Sequence, residues 1–170
     1  WPDAALAINP PIDLRACSLA LMQGVNRLYE ARFVRRCTEA IREREADGLL
    51  PDGFEVPRVK SLWEFDERVT APLGGFADAE DYYRRCSTRE RLGAIERPSA
   101  ILHAADDPFV PFASYQGLAL SDAVHLHVER RGGHVGYLSS RAARLAPRRW
   151  LETALGHYIE PLADRGAARP

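Results

Sequence analysis

Apolar positions along the chain fall into short unbroken runs and longer periodic stretches. Ala4–Ile8 is an apolar run closed by Asn9-Pro10-Pro11, which predicts a buried strand ending in a sharp turn. Residues 16–46 predict one long helix. Leu21, Val25, Tyr29, Phe33, Cys37 and Ile41 form an i,i+4 row, while Arg27, Glu30, Arg35, Glu39, Arg42, Glu43 and Glu45 take the other faces. Asp47-Gly48 stops it. Residues 48–60, with Pro51, Asp52, Gly53 and Pro57, predict a loop. Ser61-Leu62-Trp63-Glu64 has capping-box spacing and predicts a short helix; residues 71–76 predict a turn-rich loop. A short aromatic helix with Tyr82 and Tyr83 is expected from Asp78 to Arg85. Ser87-Thr88-Arg89-Glu90 is a second capping box, opening a helix through Ile95.

The second half is richer in strands. Ala100–Ala104 is entered through Arg97-Pro98 and leads to the loop Asp106-Asp107-Pro108. Residues 113–119 are weakly helical. In Ala123–Val128, Val124, Leu126 and Val128 alternate with His125 and His127. Arg131-Gly132-Gly133-His134-Val135-Gly136 follows. A last helix opens with Pro147 and carries Trp150, Leu151, Ala154, Leu155, Tyr158 and Ile159 on a broad apolar face; residues 164–170 form a tail. Three short strands separated by helices predict an α/β fold with a parallel sheet. The stretch between the first two strands is too long for one crossover and predicts a helical insertion of the cap or lid kind.

Composition narrows the function classes. The 170 residues suffice for one domain. A hydrophobic share of 46% against 28% charged excludes wholesale disorder. A net charge of −1 excludes a polybasic nucleic-acid binder, and no apolar run approaches a bilayer span. The polar face of residues 16–46 mixes acids with bases, unlike a basic interfacial helix. The 22 Arg against a single Lys60 are scattered and read as coding bias. Cys17, Cys37 and Cys86, odd in number and widely spaced, give no disulfide framework and suit a reduced, cytoplasmic protein. Residue 1 is Trp and the only Met is Met22, so either the start has been removed or the chain is a piece of something longer.

Two loops that follow strands carry candidate chemistry, because ligands of open α/β sheets bind beyond the carboxyl ends of the strands. One holds Asp107, the other His134. An acid that orients a histidine, and a histidine that takes a proton from a serine, are two members of a nucleophilic triad. The same residues also suit turn hydrogen bonds and caps. His125-x-His127 has metal-ligand spacing but no evident third ligand. Cys86 lacks an evident activating base.

Ile101-Leu102-His103-Ala104-Ala105-Asp106-Asp107-Pro108-Phe109-Val110-Pro111 resembles the strand-and-acid segment of α/β-hydrolases, and Gly132-Gly133-His134-Val135-Gly136-Tyr137 resembles their histidine loop. Asn9-Pro10-Pro11-Ile12-Asp13-Leu14, Phe65-Asp66, Thr70-Ala71-Pro72, Gly75-Phe76, Asp81-Tyr82-Tyr83 and Cys86-Ser87, in this order, resemble the YheT-like branch of esterases and lipases. The resemblance implies the C-terminal portion of an α/β-hydrolase fold. Residues 1–13 and 97–163 would be core, 14–96 a helical cap and 164–170 a tail. It implies Asp107 as triad acid, rather than Asp106, and His134 as base. Cys86 becomes only a helix-entry residue; Tyr82, Tyr83 and Phe76 either line an acyl pocket or form cap core.

The departure from the family is the nucleophile. No G-x-S-x-G elbow surrounds Ser18, Ser61, Ser87, Ser99, Ser114, Ser121, Ser139 or Ser140. In the family that elbow lies upstream of the strand that Ala4–Ile8 resembles. The expectation is therefore a carboxylic-ester hydrolase fragment supplying acid and base, inactive by itself. It would act on a small ester or lipid-like substrate without metal or organic cofactor. It would pair with its N-terminal half or self-associate. An inactive interaction module and an acyltransferase on the same fold are the alternatives.

Overall fold

β1 (Ala5–Ile8), β2 (Ser99–Ala104) and β3 (Val124–Glu129) form a parallel sheet in the order β1-β2-β3. The structure is a computed structural model and describes residues 2–137, 151, 154–156 and 158–159. Ala5 stands opposite Ser99, and Ala100 opposite His125. The ladder runs past the strand ends, where the Asn9 N–H donates to the Leu102 carbonyl and the Ala105 N–H to that of Glu129, both at 2.8 Å. β2 has a neighbour on each side and is buried along its whole length. A central parallel strand covered on both faces reads as a continuous apolar run rather than an alternation. Leu102, Ala104 and Tyr137 make a core cluster, with Ile8 and Leu151 packed against it.

Two compact units emerge: Trp1–Asp13 with Thr88–Pro170, which holds the sheet, and Leu14–Ser87, which is helical. The helical unit contains α1 (Leu14–Leu21), α2 (Asn26–Ala46), α3 (Leu62–Phe65), a π-helical turn (Asp66–Thr70), α4 (Ala71–Gly74) and α5 (Ala79–Cys86). Short 3-10 helices lie at Arg89–Ala94 and Phe112–Tyr115 in the sheet unit. Leu151, residues 154–156, Tyr158 and Ile159 are helical. Pro147, Trp150, Ser139, Ser140 and the tail 164–170 lie outside the described residues. Among the described residues no helix is long and apolar enough to cross a membrane.

Three local expectations fail for physical reasons. The helix expected over 16–46 is broken between α1 and α2. Gly24 takes a left-handed φ of 50°, and the Asn26 side chain donates to the Ala20 carbonyl at 3.0 Å. Both are ways of ending a helix. The break also resets which face of α2 is buried. Glu30, Val34 and Ile41 point inward, while Val25, Tyr29 and Phe33 of the expected apolar row are exposed. Glu30 tolerates burial because its carboxylate accepts the Leu62 N–H at 3.0 Å.

The loop expected over 71–76 instead begins as helix, continuous from α3 through the π turn. There the Ala71 N–H reaches the Asp66 carbonyl, five residues back. The donor that Pro72 lacks thus falls where the hydrogen-bond register changes. Gly75, at φ 72°, ends this helix. The capping box at Ser87 does not form: the Ser87 hydroxyl accepts from the Leu14 N–H at 3.0 Å. The Thr88 and Arg89 N–H groups both donate to the Ile12 carbonyl at 3.0 Å, and a 3-10 turn follows instead of an α-helix. Ser61 and Asp78 do cap, each accepting from the N–H three residues on.

Candidate active site

The carboxyl ends of β1 and β2 and the loop after β3 bring Asn9, Asp107 and His134 together. Asp107 lies three residues beyond β2, and its side chain is wholly buried. Pro108 follows, and the chain turns back so that Oδ1 accepts from the Phe109 and Val110 N–H groups at 2.8 and 3.1 Å. This is the local turn that an aspartate side chain supports. Oδ2 accepts from Asn9 Nδ2 at 2.7 Å and pairs with His134 Nδ1 at 2.9 Å. Four nitrogen donors thus occupy the lone-pair positions of one carboxylate.

His134 is less enclosed, with its side chain 41% exposed. Its ring meets Phe109 edge-on, with centroids 5.1 Å apart. The loop that carries it needs unusual backbone. A Cβ on Gly132 would sit 2.5 Å from the Tyr137 ring, so only glycine fits there. Gly133 has φ 58°, and Val135 has φ 105°, a costly conformation for a β-branched residue. The loop is closed by the Gly136 and Tyr137 N–H groups on the Gly132 carbonyl, at 3.0 and 2.9 Å. Asp106 serves this loop: one of its carboxylate oxygens accepts from the Gly132 and Gly133 N–H groups, both at 2.8 Å. Those two donors hold its carboxyl below the ordinary aspartate range.

Asn9 is the residue that reading the sequence passed over. It is 1% exposed and takes φ 45°, although the residue before a proline normally prefers extended backbone. Asparagine is among the few residues that tolerate this region. Its Nδ2 donates to Asp107 Oδ2 and, at 2.8 Å, to the Gly133 carbonyl. Its Oδ1 accepts from the Ala104 N–H at 3.1 Å and the Tyr137 hydroxyl at 2.5 Å. One side chain therefore ties β2, the acid and the histidine loop. Burial pushes the Tyr137 phenol well above its ordinary pKa, so it remains a donor.

His103 is a second residue not foreseen. It is fully buried on β2, stacked on Tyr115 at 4.0 Å, and neither ring nitrogen is hydrogen-bonded among the described residues. Burial lowers its pKa, against the opposing pull of Asp107, and favours the neutral ring.

The other candidates fall elsewhere. His127 Nε2 contacts Glu129 Oε1 at 2.8 Å, and His125 is exposed on the same strand. Among the described residues no group of three metal-ligating side chains converges. Cys86 is exposed at the end of α5. Tyr83 is core: it is 2% exposed and meets Trp63 edge-on at 5.2 Å. Tyr82 packs on Phe76, centroids 5.3 Å apart. Among the described residues no serine hydroxyl is hydrogen-bonded to His134. Ser18, Ser61, Ser87, Ser99 and Ser121 engage Tyr83, Glu64, Leu14, Arg97 and Ile95 respectively.

An enclosed acid on Nδ1 of a partly exposed imidazole, with Nε2 left for a third group, is an arrangement able to move a proton. Comparison with known proteins finds relatives named as an esterase, a lipase and a phospholipase. The chain is 34% identical over 162 residues to "Putative esterase YheT" of Escherichia coli (strain K12), covering 92% of this chain and 47% of that protein. It is 34% identical over 108 residues to "Monoacylglycerol lipase" of Saccharomyces cerevisiae, covering 63% and 23%. It is 26% identical over 155 residues to "Phospholipase ABHD3" of Mus musculus, covering 89% and 37%. The chain thus spans less than half the length of each of these relatives. No family model matches the chain, and no solved structure matches it.

Proposed function

Because the chain belongs to the YheT-like α/β-hydrolases, we propose that it carries the acid and base of a serine ester hydrolase. The nucleophile and oxyanion donors would lie in a preceding segment of a longer protein. The observation that carries this reading is the His134 Nδ1–Asp107 Oδ2 contact of 2.9 Å, with the acid buried and the base partly open. The sheet unit is then the C-terminal portion of an α/β-hydrolase fold, and the helical unit its cap insertion. The substrate class is a carboxylic ester with an acyl chain, in keeping with the esterase, lipase and phospholipase names of the relatives.

In this mechanism the serine hydroxyl attacks the ester carbonyl as His134 Nε2 takes its proton. The C–O bond to the alcohol breaks, and the same nitrogen returns the proton to the leaving alkoxide. Water then repeats the sequence on the acyl-serine, releasing the acid. Asp107 holds the proton on Nδ1, so that Nε2 is the basic nitrogen, and stabilises the imidazolium as it forms. Asp106 and Asn9 act by positioning, one on each side of the histidine loop.

The test is hydrolysis of p-nitrophenyl esters by a longer gene product containing this chain. Turnover is expected, and His134→Ala should lower kcat on the order of 10⁴-fold or more. Turnover that survives His134→Ala would refute the assignment. Product analysis with competing alcohols separates hydrolysis from acyl transfer.

A further inference from the structure

The N-terminal half of α2 presents large apolar side chains to solvent. Val25, Leu28, Tyr29 and Phe33 are 78%, 77%, 59% and 51% exposed. With Arg32 and Arg36, both exposed, they fall at positions 25, 28, 29, 32, 33 and 36. That spacing is one face of a helix. Val25, at the start of α2, already has helical φ and ψ of −71° and −18° and so belongs to the same face. The opposite face is the buried one, with Glu30, Val34 and Ile41.

Charge along α2 looks mixed over its full length, but the structure segregates it. Residues 22–36 contain Arg27, Arg32, Arg35 and Arg36 against one acid, Glu30. Glu30 is 5% exposed and turned inward onto the Leu62 N–H, so it does not offset them at the surface. Exposed acids begin only at Glu39, which pairs with Arg35 at 3.6 Å. A protein partner on this face would have to place carboxylates against Arg32 and Arg36 while covering the apolar residues between them. A bilayer with anionic headgroups meets both demands. Arginine stems lie along apolar surface while their heads reach the phosphates, and the aromatic and aliphatic groups enter the acyl boundary.

We propose that the face formed by Val25, Leu28, Tyr29, Arg32, Phe33 and Arg36 docks on an anionic lipid bilayer surface. This goes beyond the ester hydrolase reading and does not depend on it, since neither Asp107 nor His134 takes part.

The test is flotation of the 170-residue chain with vesicles of phosphatidylcholine alone, and with vesicles of equimolar phosphatidylglycerol and phosphatidylcholine. The chain should float with the anionic vesicles, stay behind with the neutral ones, and be released by salt. Arg32→Gln combined with Arg36→Gln should weaken binding about thirtyfold, since each basic residue near an anionic surface contributes about 1 kcal/mol. Leu28→Glu combined with Phe33→Glu should abolish flotation. All four positions are exposed, so helicity by circular dichroism should be unchanged. Leu49→Glu, at an apolar residue 70% exposed elsewhere in the helical unit, should float as the parent does.

Equal flotation with neutral vesicles would overturn the proposal, as would full binding by the double arginine variant. A concentration-dependent dimer that the Leu28/Phe33 variant breaks, without flotation, would assign the face to a second copy. A longer gene product that fails to float would assign it to the rest of its own chain. Either result removes the lipid reading.

Discussion

Asn9 makes four hydrogen bonds with one amide, so its replacement should cost more than that of any surface residue around the site. Asn9→Leu keeps the shape but leaves Asp107 Oδ2, the Gly133 carbonyl, the Ala104 N–H and the Tyr137 hydroxyl each short of a partner. An unsatisfied buried polar group costs about 1–3 kcal/mol. A loss of about 3 kcal/mol or more is therefore expected, read as a lower urea midpoint at unchanged slope. Asp107→Asn should behave differently. An amide NH2 in place of Oδ2 would face His134 Nδ1 and favour the wrong tautomer, and it would set a donor against Asn9 Nδ2, the one lost hydrogen bond to the acid. Stability should change less than in Asn9→Leu, while kcat of the longer gene product falls on the order of 10⁴-fold. The two residues were unequally legible. Asp107 and His134 lie in loops after strands, inside words that the family repeats. Asn9 shows in sequence as a turn residue before Pro10 and as the start of one family-like segment, but its bridging role does not show, because its partners at 104, 107, 133 and 137 are distant along the chain.

Among the elements, the π turn at Asp66–Thr70 carries a buried carboxylate that has no basic partner in contact among the described residues. Asp66 accepts from the Thr70 hydroxyl at 2.7 Å and the Tyr83 hydroxyl at 2.6 Å, and it is 7% exposed. Tyr83 has one proton, and its shorter contact is with the carboxylate. Ser18 Oγ, 3.1 Å from the phenol oxygen, therefore donates to it. Burial raises the Asp66 pKa above its ordinary value, against the lowering effect of Tyr83 and Thr70. The folded state then binds this proton more tightly than the unfolded one. Stability from this group is present below the unfolded aspartate pKa and is lost as pH rises through the raised folded value. Asp66→Asn should remove that slope, leaving the urea midpoint flatter across the acid range; an unchanged slope would assign it to other groups. None of this was legible locally. Phe65-Asp66 and Thr70-Ala71-Pro72 suggested separate pieces, and only the helical path between them places the acid beside Tyr83. The strands were easier to foresee, since a parallel strand between two neighbours leaves an apolar run in sequence, as Ala100–Ala104 does. The buried face of α2 does not follow from the i,i+4 row, because a row carried across Gly24 assumes a single helix.

At the scale of the whole molecule, the dyad and the sheet set what this chain can do alone. An oriented imidazole moves protons, but the larger part of ester catalysis lies in an activated nucleophile and in donors aimed at the developing oxyanion. Among the described residues no serine reaches His134, so the 170-residue chain should cleave p-nitrophenyl esters no faster than free imidazole at equal concentration. Adding the nucleophile-bearing segment proposed above as a separate polypeptide should change that, if the two share a sheet. Within the described sheet β1 pairs only with β2, which leaves one edge of Ala5–Ile8 able to accept another strand. Mixing should then give turnover that saturates with the added segment and disappears in His134→Ala. A Ser→Ala change in a G-x-S-x-G motif of the added segment should remove it equally, because nucleophile and base act as one unit and their losses do not add. If the chain alone turns over ester well above the imidazole rate, its nucleophile lies within these 170 residues and the division of the triad is wrong. If the mixture stays silent while an unbroken longer protein is active, the division stands. Joining two parallel strands across a chain break is then the step that fails, as expected where closure entropy must be met before non-local pairing stabilises the product.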